Sequence, residues 1–239
     1  MSLTAVFPLY KNFDTLDVMG PLQAFLYGGI DSTLAAQERG GVTSLEGITV
    51  QATESFDCAP QYDILFVPGG SDIPSVLDLG PRGSNPYLDF LTRQAQGAKL
   101  VCSVCTGSLL LGAARLLDNR TVTTHWAYMD VLRLFPCNVV EDYRRYVHSG
   151  NVVTGGGISS GIDEAIYIIS VTAGLDAARR AQLSMQYHPQ PIVHCGDPGQ
   201  ADIRDVPELP ATIQSDWGVA STLLRVEEWL SAKSMAVSS

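Results

Sequence analysis

Between Lys99 and Ala114 an apolar β-type run, Lys-Leu-Val-Cys-Ser-Val-Cys, passes into a helix-type run, Thr-Gly-Ser-Leu-Leu-Leu-Gly-Ala-Ala, with no loop between them. The residue at the break, Cys105, is predicted to sit on a sharp strand-to-helix turn that pushes its side chain out of the sheet. Unpaired N–H groups and the dipole at a helix start favour negative charge there. The thiol is therefore expected to ionise more readily than in free solution, and the thiolate is the reactive form. Cys105 is the candidate nucleophile.

The rest of the chain repeats this alternation. Strands are predicted at 4–10, 32–37, 47–53, 63–68, 99–105 and 121–124, with strand-like runs at 138–140, 143–148 and 151–154. Helices are predicted at 22–27 (opened by Gly20-Pro21), 85–96, 106–117, 126–135, 158–173 and 177–186. Such alternation predicts an α/β fold, a mainly parallel sheet sandwiched by helices. After Tyr187, five prolines mark an irregular wrap, and 215–235 reads as an amphipathic helix with Val219, Leu223, Val226 and Leu230 on one stripe. No repeat or long linker divides the 239 residues, so one domain is expected: a core over 1–200, then the wrap and helix of 201–239.

A formal charge of −10 argues against nucleic-acid or anionic-membrane partners. No apolar stretch approaches a membrane span, and the N-terminus lacks a signal-peptide pattern. Five cysteines then read as reduced thiols in a cytoplasmic protein.

Ligands of an open parallel sheet bind beyond the carboxyl ends of its strands. Asp17, Gly69-Gly70, Cys105 and Gly155–Gly157 all fall on that edge. A thiol to attack, a carboxyl group to move protons and backbone N–H groups to hold developing charge suit addition to an unsaturated carbon. His125 is an alternative base for the thiol, or an ordinary histidine near a strand end. Cys102 is read as core rather than as a redox partner of Cys105, because it lies within the apolar strand. The histidines lack metal-ligand spacing, and the triple glycine lacks the spacing of a dinucleotide loop, so no metal or nucleotide is expected.

Several motifs together resemble the ThiJ/PfpI superfamily: Leu16-Asp-Val-Met-Gly-Pro21, Val67-Pro-Gly-Gly70, Ser103-Val-Cys-Thr-Gly-Ser108, Thr123-Thr-His-Trp126 and Thr154-Gly-Gly-Gly-Ile-Ser-Ser-Gly-Ile-Asp163. The likeness is greatest to the branch that hydrates isocyanides. It implies a flavodoxin-like, class I glutamine amidotransferase-like fold with a nucleophile elbow. By this resemblance Cys105 attacks the isocyanide carbon to give a thioimidate, which water converts to an N-substituted formamide. Asp17 is the acidic partner, Thr106 the hydroxyl that supports it, and Gly69, Gly70 and the Thr106 backbone bind substrate or oxyanion. No cofactor or metal is implied, and a homodimer acting on a small molecule is. Asp17 stands where protease- and deglycase-like relatives place glutamate, and Thr106 where protease-like members carry histidine. Both point away from peptide hydrolysis.

Three rival readings share these motifs. One is a stand-alone domain like the ligand-sensing half of AraC-like regulators, since the chain after Ala201 is too short and too poor in basic residues for the helix-turn-helix domain that a full regulator needs. Another is glyoxalase- or deglycase-type chemistry on α-oxoaldehydes, leaning on His125. The third is redox sensing by an oxidisable Cys105.

Overall fold

The computed structural model describes residues 2–78, 84–200 and 218–237, with the side chains of 234–237 left aside. Seven strands form one sheet: β1 (Leu3–Pro8), β2 (Ile30–Ala36), β5 (Glu54–Ser55), β6 (Ile64–Val67), β7 (Leu100–Ser103), β10 (Tyr146–Ser149) and β11 (Val152–Gly155). Their spatial order is β10-β11-β7-β6-β1-β2-β5, and every neighbouring pair is parallel except β10 with β11. β6 and β7 are buried at all four positions, as expected of strands covered on both faces. Two further pairs stand apart from this sheet: β3 (Gly40–Thr43) with β4 (Thr49–Ala52), antiparallel, and β8 (Thr121–Val122) with β9 (Asn138–Val139), parallel.

The helices are α1 (Thr15–Gly28), α2 (Ile73–Val76), α3 (Pro86–Ala95), α4 (Gly107–Ala113), α5 (Met129–Leu132), α6 (Ser160–Thr172), α7 (Leu175–Ser184) and α8 (Val219–Val237). One face of the sheet carries the rings of Phe7, Phe25 and Phe66, with centroids 5.2–5.9 Å apart. Burying side chains of this size is worth about 1.5–3 kcal/mol each.

Three expectations need correcting. Helix α1 does not open at Gly20-Pro21; it begins six residues earlier, capped by Asp14 accepting the Leu16 N–H at 3.0 Å, and encloses Pro21. Burial of Val18, Ala24 and Phe25 outweighs the ~3 kcal/mol an internal proline costs. Asp17 therefore lies in the first turn of a helix rather than in a loop. The strand expected at 47–53 is only half of a hairpin, since Gly47, at φ 80°, belongs to the turn joining β3 to β4. The helix expected over 126–135 is a 3₁₀ turn, Trp126–Tyr128, followed by the single turn of α5, because His125 Nδ1 takes the Ala127 N–H at 3.3 Å and tightens the start. Residues 201–217 of the expected wrap lie outside the described residues.

Candidate active site

Cys105 follows β7 and precedes α4, at φ 56°, in the left-handed region where a non-glycine residue costs of order 1–3 kcal/mol. Its neighbours hold it there. The Cys105 N–H donates to Gly156 O at 2.8 Å, and the Cys105 carbonyl accepts the Thr124 hydroxyl at 2.9 Å and the Ser108 hydroxyl at 3.3 Å. Gly156 follows β11 and Thr124 belongs to the Thr-Thr-His-Trp stretch, so two distant segments and the first turn of α4 clamp one strained residue. Thr124 had no role in the sequence reading; a hydroxyl-to-carbonyl bond across 19 residues leaves no local trace.

Asp17 reaches this point from the carboxyl end of β1, and Gly69 from the end of β6. Asp17 Oδ2 accepts the Gly69 N–H at 2.8 Å. A Cβ on Gly69 would lie 2.6 Å from Thr106 N and 2.8 Å from both Asp17 Oδ2 and the Cys105 Cβ. Only a residue without a side chain lets these three groups converge. Asp17 is completely buried and its Oδ1 has no hydrogen-bond partner among the described residues.

Two inferred roles change here. The Thr106 hydroxyl makes no hydrogen bond to Asp17: it accepts the Gly70 N–H and donates to Gly70 O, both at 2.9 Å. It supports the carboxyl group only by fixing the Gly69-Gly70 turn. The N–H groups of Gly69 and Gly70 are likewise committed, to Asp17 and Thr106, and do not point free into the site. The sulfur instead draws on the backbone N–H groups of Thr106 and Ile158, which favour its thiolate. Ile158 was not foreseen as a donor, because a backbone contribution carries no residue signature.

The electrostatics also reverse one expectation. Burial pushes the Cys105 thiol well above its ordinary value, and the Asp17 charge pushes the same way, against those two N–H groups. Burial likewise holds Asp17 protonated well above the carboxylate range, helped by the Asp14 charge and opposed by the Gly69 N–H. Both shifts favour the protonated form of the thiol and of the carboxyl group beside it. Burial lowers His125 to about 4, so its ring is neutral near pH 7.

Above Cys105 opens a pocket of ≈ 240 Å³. Leu45, Tyr128 and Ile158 give it apolar walls, Cys105 and Thr106 its floor, and Asp14, Gly70, Ser71 and His125 its polar margin. Asp17 lies behind the floor rather than on it, whereas Asp14, which the sequence reading passed over, faces the pocket. Among the described residues no cluster of His, Cys, Asp and Glu could hold a metal ion, and no helix is long and apolar enough to cross a membrane.

The profile of the DJ-1/PfpI family matches residues 4–170. The chain is 37% identical over 202 residues to the isonitrile hydratase of Pseudomonas putida, covering 84% of this chain and 86% of that protein. Among solved structures, a ThiJ/PfpI family protein from Pseudomonas syringae superposes with a TM-score of 0.83 at 28% identity, over 96% of this chain and 90% of that one. Drosophila melanogaster DJ-1beta superposes at 0.70 with 18% identity, over 79% of this chain and all of that one, a likeness of fold alone.

Proposed function

The chain belongs to the DJ-1/PfpI family, and from that premise we propose that it hydrates small apolar isocyanides to N-substituted formamides through a covalent bond to Cys105. The observation that carries the reading is the meeting of Cys105, Asp17 and Thr106 around Gly69, beneath a small apolar pocket. The 37% identity to an isonitrile hydratase supports the choice of substrate class.

An isocyanide carbon is both electrophilic and basic, so attack on it needs a nucleophile and a proton donor together. Cys105 Sγ bonds to that carbon while Asp17 delivers its proton there and takes the thiol proton in exchange. The product is a thioimidate, and Asp17 is again neutral. Water then adds to the same carbon, with one water proton passing to Asp17 as the Asp17 proton goes to nitrogen. Collapse of the resulting adduct breaks the C–S bond; the hydroxyl proton goes to Asp17 and the Asp17 proton returns to sulfur, releasing the formamide. A buried carboxyl group whose proton affinity burial raises is suited to this two-way exchange. Linear, uncharged substrates match a pocket whose walls are Leu45, Tyr128 and Ile158.

The test is to mix purified protein with alkyl and aryl isocyanides and follow formamide absorbance. Turnover that disappears in Cys105→Ala is expected. Failure across the panel, together with consumption of methylglyoxal, would replace this reading with the α-oxoaldehyde one.

A further inference from the structure

The pocket above Cys105 shares a wall with a second cavity, of ≈ 260 Å³. Among the described residues, the two have only His125 and Ile158 in common. His125 is the fixed half of this partition. Its ring is buried, accepts the Ala127 N–H on Nδ1 at 3.3 Å and stacks on Trp126 with centroids 5.8 Å apart. A Cβ on Gly157 would stand 2.9 Å from its Cδ2, so the ring occupies the room that glycine leaves. Ile158 is the adjustable half. Its backbone is held, the N–H by the Cys105 sulfur and the carbonyl by the Gly161 N–H at 3.1 Å, but its side chain stays exposed.

The second cavity differs in character from the first. Trp126 and Tyr143 line it with aromatic side chains, and Arg144 and Arg145 with guanidinium groups. Arg144 Nε donates to Asp142 at 2.7 Å, while Arg145 donates to Asp163 at 2.7 Å and to Ser159 Oγ at 3.0 Å. With both cations paired, the cavity makes no demand for an anion. Guanidinium planes and indole or phenol rings all stack on a neutral aromatic ring.

An isocyanide is linear from its carbon through nitrogen to the substituent. Once the carbon is at Cys105, the substituent is carried away from the floor of the pocket to its walls. We propose that Ile158 is a specificity-determining residue of this site: its side chain closes the wall between the two cavities, and the cavity behind it is the subsite for the second ring of a neutral biaryl isocyanide. The inference rests on the reading of Cys105 as the point of attack on an isocyanide. Trimming Ile158 joins the two spaces and leaves in place the backbone N–H that serves the sulfur. The other apolar walls, Leu45 and Tyr128, line the first cavity alone, so trimming them joins nothing to it.

The test compares kcat/KM for 4-biphenylyl isocyanide with that for phenyl isocyanide. In Ile158→Ala the ratio of the two is expected to rise about tenfold over the parent protein, the discrimination a few methylene groups provide in an apolar pocket. Ile158→Val should move it the same way by less, which keeps the test available if the alanine variant does not fold. An unchanged ratio in the folded variants would overturn the inference. Tyr143→Ala, added to Ile158→Ala, should withdraw most of the gain; a gain that survived it would put the second ring outside this cavity and equally overturn the inference. Calorimetric binding of N-phenylformamide and N-(4-biphenylyl)formamide reads the same preference without turnover. A parent protein that converted no isocyanide, beside an Ile158→Ala variant that shifted its binding toward the longer formamide, would defeat the proposed function and leave the partition standing.

Discussion

At the scale of single residues, the charges of two acids bear on one sulfur, and the acids differ in surroundings. Asp17 is fully buried next to Cys105 at the Gly69 turn, and Asp14 faces the cavity. If Asp17 trades the protons, Asp17→Asn should lower kcat by about 10²–10⁴-fold with little change in KM. Asp14→Asn should retain at least half the activity, since asparagine caps a helix as well as aspartate does. Steady-state kinetics on the two variants decides which carboxyl group works, and the opposite ranking would transfer the role to Asp14. His125 makes a separate prediction about stability. Its folded value near 4 lies below the ordinary 6.5, so the unfolded chain binds the proton first and stability falls as pH drops from about 6.5 toward 4. At pH 5 the loss is about 2 kcal/mol. Thermal melts of His125→Gln at pH 7.5 and 5 should show a smaller acid loss than the parent. The position of Cys105 was legible because an uninterrupted apolar run writes the elbow into the primary structure. The direction of its ionisation was not legible, because burial and the approach of Asp17 belong to the folded molecule.

At the scale of elements, the β3–β4 hairpin was the least visible part of the site and supplies one of its walls. The N–H of Leu45, in the turn of that hairpin, donates to Phe13 O at 2.9 Å, while Glu46 accepts the Thr15 hydroxyl at 2.6 Å. These bonds fasten the turn to the start of α1 and set Leu45 at the mouth of the pocket. The glycine-rich sequence around it gives no apolar periodicity, and its partner strand is recognisable only once the pairing is known. Leu45→Ala should raise KM for small isocyanides about tenfold, the equivalent of losing a partly exposed leucine contact, and leave kcat within about twofold. An unchanged KM would mean that substrate does not touch the hairpin. Helix α1 shows the opposite difficulty: Pro21 reads locally as a beginning, and only the tertiary burial of Val18 and Phe25 explains a helix that runs through it.

At the scale of the whole molecule, β1 is flanked by β2 on one side and β6 on the other, so the chain reverses direction across the sheet beside Asp17 and Gly69. That reversal opens the crevice the alternation of strands and helices had foretold. The last helix was foreseen from its stripe, of which Val226 is fully buried, but Trp229, 3% exposed, is a larger anchor that the pattern missed. Arg225 of α8 pairs with Asp78, and Thr222 bonds to the hydroxyl of Tyr128. Tyr128 is at once a wall of the pocket and a seat for the tail. Whatever stiffens that ring from one side must be felt on the other, by equal free energy in both directions. Saturation with an unreactive isocyanide mimic should therefore slow amide hydrogen exchange across 219–230, and unaltered exchange there would show the helix to be seated independently. The far end of the polypeptide becomes a gauge of occupancy, one that can be read from its backbone without watching the chemistry.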